Sequence, residues 1–172
     1  KQIHYEALNK ALGEKYAIEW NEHLSLYDGL KTNQKLQMLS EKKGLPITLH
    51  EEIWKNKQKY TLEALSSLKN SAELKYCLEN MVNRGYKIAC CSNSIRKTIL
   101  TVLSKLGIIE YFDLILSNED VKNSKPHPEI YWKTISMMGC LPEEVLIVED
   151  SPYGLLAASR SNSHVKIGRA HV

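Results

Sequence analysis

From about residue 72 onward, short apolar runs alternate with segments of helical periodicity, and this alternation constrains the fold more than any other feature of the sequence. Apolar runs occupy residues 87–91, 113–116 and 145–148, with a shorter one at 163–167. Helical patterns cover residues 72–83, 95–106 and 128–138, and a last helix begins near Pro152. Strands that alternate with helices are joined by right-handed crossovers into a parallel sheet. We therefore predict an α/β domain with a three-layer, Rossmann-like, doubly wound parallel sheet, in which the run at 87–91 is a buried strand.

The first 66 residues, in contrast, carry helical patterns only. Apolar residues three and four apart predict a first helix that ends at Gly13 and a second that begins near Thr32 and ends at Gly44. Thr48 and Glu51 have the spacing of a capping box, which predicts that a third helix begins there. We predict an all-helical domain over residues 1–66 and the α/β domain over residues 67–166.

The composition excludes several classes of protein. The 172 residues, 43% of them hydrophobic, can bury a core. A formal net charge of +3 is too weak to indicate a nucleic-acid partner. No apolar stretch approaches the roughly 18 residues of a membrane span, and no signal peptide opens the chain. We expect a cytoplasmic, monomeric protein with no membrane partner.

Two local features carry no functional prediction. Cys90 and Cys91 are adjacent in an apolar run, so they are interpreted as small hydrophobic strand residues and not as a disulfide or metal pair. Residues 167–172 have the sequence that one frame of a common sequencing adaptor would encode, which predicts a non-native tail. No function is therefore assigned to Arg169 or His171.

Polar residues follow three of the predicted strands. Ser92 and Asn93 come after the first, Lys125 lies in the loop after the second, and Glu149 and Asp150 come after the third. Ligands of open parallel sheets bind at the carboxyl ends of the strands, so these side chains are expected to converge. A hydroxyl, an ammonium and two carboxylates suit phosphoryl chemistry with Mg²⁺.

Each of these residues also has an ordinary structural interpretation. A serine after a strand is commonly a turn residue, and a lysine beside a proline is commonly a solvated loop residue. The Glu-Asp-Ser-Pro string from Glu149 suits a helix start, because acidic residues and proline both favour the first turn. The order of the residues on successive strands favours function.

Three strings resemble the second, third and fourth motifs of the haloacid dehalogenase (HAD) superfamily. They are C-S-N-S at residues 91–94, K-P-H-P-E-I-Y at 125–131 and V-E-D-S-P-Y-G-L-L-A-A at 148–158. The chain is most similar to the phosphatase and β-phosphoglucomutase-like branch, and residues 4–46 resemble its helical cap. The resemblance implies a Mg²⁺-dependent phosphohydrolase that acts on a small phosphorylated metabolite through an aspartyl phosphate.

The resemblance also implies a role for each site residue. Ser92 with Asn93 would bind the phosphoryl group, Lys125 would stabilise nucleophile and phosphate, and Asp150 with Glu149 would hold the metal. The family's nucleophile and general acid form a D-x-D motif after the first core strand, and no D-x-D occurs here. We expect a fragment that lacks this strand and is inactive by itself, because Ser92, Lys125 and Asp150 are retained. A noncatalytic binding or regulatory relative is the alternative.

Within the cap, His4 matches a histidine common in this branch, and Gly29, Lys31, Thr32 and Lys35 form a turn that is expected to face the substrate. Their ordinary interpretation is a turn glycine and solvated lysines at a helix end. Related sugar-phosphate mutases bind a second phosphate with an arginine at the position of Thr32. Thr32 in place of that arginine argues against a mutase and leaves Lys31 or Lys35 as substitutes, so a sugar-phosphate mutase is only the second expectation within the family.

Overall fold

The computed structural model describes residues 1–168. The chain divides into two compact units, the first spanning Lys1–Lys69 and the second beginning at Asn70. The sequence-predicted tail is described only as far as Gly168. Ile167 pairs with Glu149, and the Gly168 amide donates to the Glu149 carbonyl over 2.7 Å. Arg169 and His171 lie outside the described residues, and the foreign origin of the tail stays a prediction.

The first unit is helical, as the sequence predicts. Its helices are α1 (Gln2–Leu12), α2 (Trp20–Glu22), which continues as a π-helical turn (His23–Tyr27), α3 (Thr32–Lys43) and α4 (His50–Leu65). Helix α3 ends at Gly44, whose left-handed φ of 66° glycine adopts without a Cβ penalty. Helix α1 packs on α4, and the buried core is formed by the apolar residues Leu8, Leu12, Tyr16, Ile18, Tyr27, Leu36, Leu39, Leu45 and Ile53.

The predicted capping box at Thr48 and Glu51 is wrong. Helix α4 begins at His50, and its N-cap residue Leu49 makes no side-chain capping bond. The reason is a 3₁₀ turn over Ile47–Leu49, closed by the Leu49 amide on the Pro46 carbonyl at 3.0 Å. This turn takes up Thr48 and moves the start of the helix past it.

The second unit alternates helices and strands in the predicted order. Its elements are α5 (Ala72–Asn83), β1 (Ala89–Cys91), α6 (Arg96–Lys105), β2 (Leu114–Leu116), α7 (Glu129–Met138), β3 (Leu146–Glu149), α8 (Pro152–Ser159) and β4 (His164–Ile167). All described strand pairs are parallel, as crossover connections require. No helix among residues 1–168 is long and apolar enough to cross a membrane.

The strands of the described residues form two parallel pairs and not one continuous sheet. β1 pairs with β2, and β3 pairs with β4. One apolar core nevertheless joins the pairs, because Leu116 of β2 and Ile147 of β3 belong to the same buried cluster, with Ile130 of α7. Strand β1 is only half-buried, and Leu146 and Val148 of β3 are about 60% exposed. The predicted strand over 87–91 is therefore present at Ala89–Cys91, but the prediction that it is fully buried is wrong.

Candidate active site

The loop after β1 is held by Ser92 and Asn93. The Ser92 amide extends the ladder by donating to Leu116 O over 3.0 Å, and its Oγ accepts the Ser94 amide over 3.1 Å. Asn93 Oδ1 accepts the Lys125 amide, and Asn93 Nδ2 donates to the Lys125 carbonyl, both over 3.2 Å. The Asn93 side chain thus fixes the backbone of Lys125 beside the end of β1.

Lys125 joins the carboxyl ends of β1 and β3. Its side chain is 6% exposed, and Nζ donates to Cys91 O over 3.0 Å and forms a short ion pair with Glu149 Oε1. A buried ammonium needs such partners, since an unpaired buried charge is costly. Lys125 is therefore a positioned cation and not the solvated loop residue of the ordinary interpretation.

Glu149, at the end of β3, is the centre of this network. The Tyr131 hydroxyl of α7 donates to Glu149 Oε1 over 2.5 Å, and the Asp150 amide and Ser151 hydroxyl approach Oε2 at 3.3 and 3.4 Å. Burial alone would raise the pKa of Glu149, but the charge of Lys125 and these hydrogen bonds lower it below its ordinary value. Burial and the Glu149 charge raise the pKa of Tyr131, so this phenol stays protonated and keeps donating.

Gly154 makes room for this carboxylate. A Cβ at residue 154 would lie 2.1 Å from Glu149 Oε2, which is too short for any real contact. The same turn starts α8, because Ser151 Oγ accepts the Gly154 amide over 3.1 Å and Pro152 is the first helical residue. The interpretation of the Glu-Asp-Ser-Pro string from Glu149 as a helix start is thus correct. The same string also places Glu149 in the site.

Asp150 lies next to the network but is exposed. Its carboxylate is a hard oxygen ligand of the kind that Mg²⁺ prefers, whereas the Glu149 carboxylate is taken up by Lys125 and Tyr131. Among residues 1–168, no group of three or more His, Cys, Asp or Glu side chains could hold a metal ion. The described residues by themselves therefore do not complete a Mg²⁺ site, and Asp150 would supply one of its ligands.

The sequence did not reveal two further contributors. Tyr131 lies in the K-P-H-P-E-I-Y string, and its spacing after Lys125 was the available signal. Asp120 lies in the loop that follows β2, and its carboxylate accepts two bonds from Arg96 Nη2, at 2.7 and 2.8 Å, and one from the Ser117 hydroxyl at 2.7 Å. These bonds anchor the loop to the start of α6.

The five predicted cap residues all lie in the helical unit. His4 lies on α1, Gly29 has a φ of 85° in the turn before α3, Lys31 precedes α3 and Thr32 begins it. Lys35 of α3 is 6% exposed. Asn93, Lys125 and Glu149 therefore form one network, with Ser92 in the adjoining loop, while substrate contacts by the cap residues stay a prediction.

Comparison with known proteins supports this assignment of motifs. The family model described as haloacid dehalogenase-like hydrolase matches residues 1–167. The phosphorylated carbohydrates phosphatase of Thermotoga maritima is 26% identical over 178 aligned residues, which cover 98% of this chain and 78% of that protein. The phosphoglycolate phosphatase of Nitrosococcus oceani is 31% identical over 83 residues, which cover 48% of this chain. Like the phosphoglycolate phosphatase of Aquifex aeolicus and four PpaX pyrophosphatases, it is matched over only 37 to 43% of its own length.

Solved structures share the fold. β-Phosphoglucomutase from Clostridium difficile superposes with a TM-score of 0.84 at 24% identity, covering 95% of this chain and 76% of the other. CbbY from Rhodobacter sphaeroides, in complex with xylulose-(1,5)bisphosphate, gives 0.86 at 18% identity, covering 99% and 80%. With the family match and the convergence of three motifs on one network, the chain belongs to the haloacid dehalogenase-like hydrolases, in their phosphatase branch.

Proposed function

We propose that this chain is the scaffold of a Mg²⁺-dependent phosphohydrolase that acts on a small phosphorylated metabolite through an aspartyl phosphate. The observation that carries the proposal is the buried Lys125 ammonium, held at the meeting point of two strand ends by Cys91 O and Glu149. A fixed cation in a partly buried site stabilises charge on a transferring phosphoryl group without reorganisation. The names of the matched phosphatases favour a phosphate ester as substrate.

In this proposal, each residue of the site has its own role. In the proposal, the Ser92 hydroxyl and the amides of its loop donate to phosphoryl oxygens, and Asn93 holds Lys125 beside them. Lys125 neutralises the oxygens of the nucleophile and the phosphoryl group. Glu149 and Tyr131 aim the ammonium, so Glu149 acts as an orienting group and not as a direct metal ligand. Asp150 is the ligand offered to Mg²⁺, which would supply charge neutralisation at the phosphoryl group.

The nucleophile must come from another segment, because the sequence contains no D-x-D. We propose that a longer parent protein supplies it on a strand inserted between β1 and β3. Two observations support this proposal. The two strand pairs share one apolar core but are not paired with each other among the described residues. Cys91 O also turns away from β2, toward Lys125 and the side where such a strand would lie.

The parent protein provides the test. The codons upstream of Lys1 would be recovered, and the restored protein assayed for phosphate release from sugar phosphates, phosphoglycolate and pyrophosphate with and without Mg²⁺. Hydrolysis that requires Mg²⁺ and traps a labelled aspartyl phosphate supports the proposal. Isomerisation of hexose 1-phosphates without net phosphate release would replace it with a mutase. An upstream sequence without D-x-D and a protein without turnover would make it a binding or regulatory protein. We further propose that the parent works as a cytoplasmic monomer, which sedimentation and fractionation would check.

A further inference from the structure

The loop after β1 is held from one side by Asn118, a half-buried residue of the loop that follows β2. The Asn118 side chain donates from Nδ2 to the Asn93 carbonyl over 2.7 Å. The Asn118 amide donates to the Ser94 carbonyl over 3.2 Å. Asn118 therefore holds two successive carbonyl groups. Because these groups belong to the peptide planes on either side of Ser94, the two bonds fix the backbone dihedral angles of that residue.

These two bonds also determine where the donors of the loop point. Both peptide bonds are trans, and in a trans peptide the C=O and the N–H point in opposite directions. The amides of Ser94 and Ile95 are therefore turned away from Asn118. The Ser94 amide donates to Ser92 Oγ over 3.1 Å. A hydroxyl oxygen that accepts this bond keeps its own hydrogen available for donation to another group.

Asn93 connects Asn118 to the buried lysine of the site. The Asn93 side chain accepts the Lys125 amide and donates to the Lys125 carbonyl, both over 3.2 Å. The Asn93 carbonyl is the group that accepts the Asn118 side chain. A displacement of the Asn93 peptide would thus move the backbone of Lys125 as well as the Ser92 loop. Both are assigned to the phosphoryl group in the proposed function.

The loop that carries Asn118 is anchored by other bonds. Glu119 Oε2 accepts the Arg96 amide over 2.7 Å at the start of α6. The Asp120 carboxylate accepts the Arg96 guanidinium, and the Asp120 carbonyl accepts Lys133 Nζ over 2.7 Å. These bonds remain when the side-chain amide of Asn118 is removed. Loss of that amide should therefore release the loop after β1 without releasing the loop after β2.

We propose that Asn118 is a positioning residue for phosphoryl transfer. Its side chain holds the backbone of Asn93 and Ser94 so that the amides of this loop and the Ser92 hydroxyl face the phosphoryl group. Asn118 lies outside the three motif strings, and its role rests on the proposed function. It acts through Asn93 and Ser94 and does not contact the substrate. The alternative is a bond that only stabilises the two loops and has no effect on catalysis.

The first experiment uses the 172-residue chain and needs no enzymatic activity. Asn118→Leu keeps the branched shape of the side chain and removes its donor. Asn123→Leu is the matched control, because Asn123 is exposed in the same loop and its side chain bonds Glu129 over 2.9 Å. Hydrogen exchange of the Ser94 amide, followed by NMR, should be about tenfold faster in Asn118→Leu and within about twofold of the unaltered chain in Asn123→Leu. Slow exchange of Cys90 in both variants would show that β1 is intact.

The second experiment measures catalysis in the restored parent. Asn118→Leu should lower kcat for phosphate release by about tenfold or more and change KM by less than about threefold. The reason is that the donors of the loop are expected to bind the transferring group most strongly in the transition state. Asn118→Gln retains an amide donor and should recover part of the lost kcat. Asn123→Leu should leave kcat and KM unchanged.

Equal exchange of the Ser94 amide in Asn118→Leu and the unaltered chain would overturn the inference, whether or not the parent is active. In a parent that releases phosphate, an unchanged kcat in Asn118→Leu would also overturn it, as would equal losses of kcat in Asn118→Leu and Asn123→Leu. If the unaltered parent releases no phosphate, the proposed function fails instead. The Ser94 exchange rates then still decide whether Asn118 holds the loop.

Discussion

The Tyr131 hydroxyl lies 2.5 Å from Glu149 Oε1, the same oxygen that receives the Lys125 ammonium. One carboxylate oxygen therefore aligns a neutral donor from α7 and a cation from the loop before it. Because Lys125 also contacts Cys91 O, this oxygen links the ends of two separate strand pairs through two side chains. The position of the proposed catalytic lysine depends on Glu149 as much as on its own loop.

Replacement of Glu149 should therefore be costly. Glu149→Gln removes the charge opposite a lysine whose side chain is only 6% exposed. Breaking one side of a buried ion pair costs about 3–5 kcal/mol, which urea unfolding at pH 7 would measure. Glu79→Gln on the exposed face of α5 is the control and should stay within about 0.5 kcal/mol of the parent chain. A loss for Glu149→Gln no larger than that of the control would contradict the network.

The double variant Lys125→Met/Glu149→Gln tests the same pair in a different way. Removing both charges leaves no buried ion without a partner, so the double variant should be more stable than the sum of the two single losses predicts. The coupling free energy from the mutant cycle should be about 0.5–3 kcal/mol. Strict additivity would mean that Lys125 and Glu149 do not act as a pair in solution.

Gly154→Ala should move the Glu149 carboxylate. Helix propensity alone predicts that alanine stabilises α8 by about 1 kcal/mol. The added Cβ, however, would lie 2.1 Å from Glu149 Oε2 and force the carboxylate away from Lys125. We expect a net loss of stability, and in the restored parent a lower kcat, whereas Ser159→Ala at the exposed end of the same helix should change neither. Stabilisation by Gly154→Ala would show that the carboxylate tolerates another position.

The Asp120 carboxylate should make folding stability sensitive to acid. Burial acts to raise its pKa, but the hydrogen bonds from Ser117 and the charge of Arg96 lower it from 3.8 to about 2. A group with a depressed folded pKa stabilises the protein above its unfolded pKa, and this contribution is lost as pH falls. Stability should thus decrease between about pH 4 and pH 2, and Asp120→Asn should lose this part of the pH dependence in urea titrations. An unchanged pH profile in Asp120→Asn would be evidence against the bonds with Ser117 and Arg96.

Ser92→Ala should impair stabilisation of the phosphoryl group while changing the free energy of unfolding only slightly. Its Oγ accepts one amide bond, from Ser94, so the free energy of unfolding should fall by only about 0.5–1.5 kcal/mol. In the restored parent, loss of a donor to the transferring group should reduce kcat by about 10²-fold or more. Ser104→Ala, at an exposed position of α6, is the control for both measurements. A parent Ser92→Ala enzyme with full kcat would remove Ser92 from the site.

The 172-residue chain itself should release no phosphate from the same substrates and should bind Mg²⁺ weakly. Asp150 is one carboxylate, and Mg²⁺ needs several oxygen ligands held in octahedral geometry. Calorimetric titration with MgCl₂ and a phosphate-release assay would check both expectations. Turnover by this chain would show that another residue replaces the missing nucleophile.

Local patterns predicted much of this fold, because periodicity and helix ends depend on near neighbours in sequence. Gly44 ends α3 as expected, and the predicted convergence of the loops after β1 and β2 is seen in the two hydrogen bonds between Asn93 and Lys125. The contacts of Tyr131 with Glu149 could not be predicted, since they depend on which side of α7 faces the strands. The same holds for His23, whose burial without a partner results from tertiary packing against Trp20 and Tyr5.

The two unjoined strand pairs have a consequence for the exchange of backbone amide hydrogens with solvent. In a parallel strand, successive residues turn their N–H groups to opposite sides. Ser92 N bonds to β2, and Ile88 O accepts from Asp113 N, so Ala89 and Cys91 face the other edge of β1. Deuterium should therefore enter Ala89 and Cys91 quickly and Cys90 slowly, with Leu146 and Val148 fast on β3. A fifth strand between β1 and β3 would protect the amides of Ala89, Cys91, Leu146 and Val148, and this alternation would disappear. Hydrogen exchange would then report, residue by residue, whether that strand is in place.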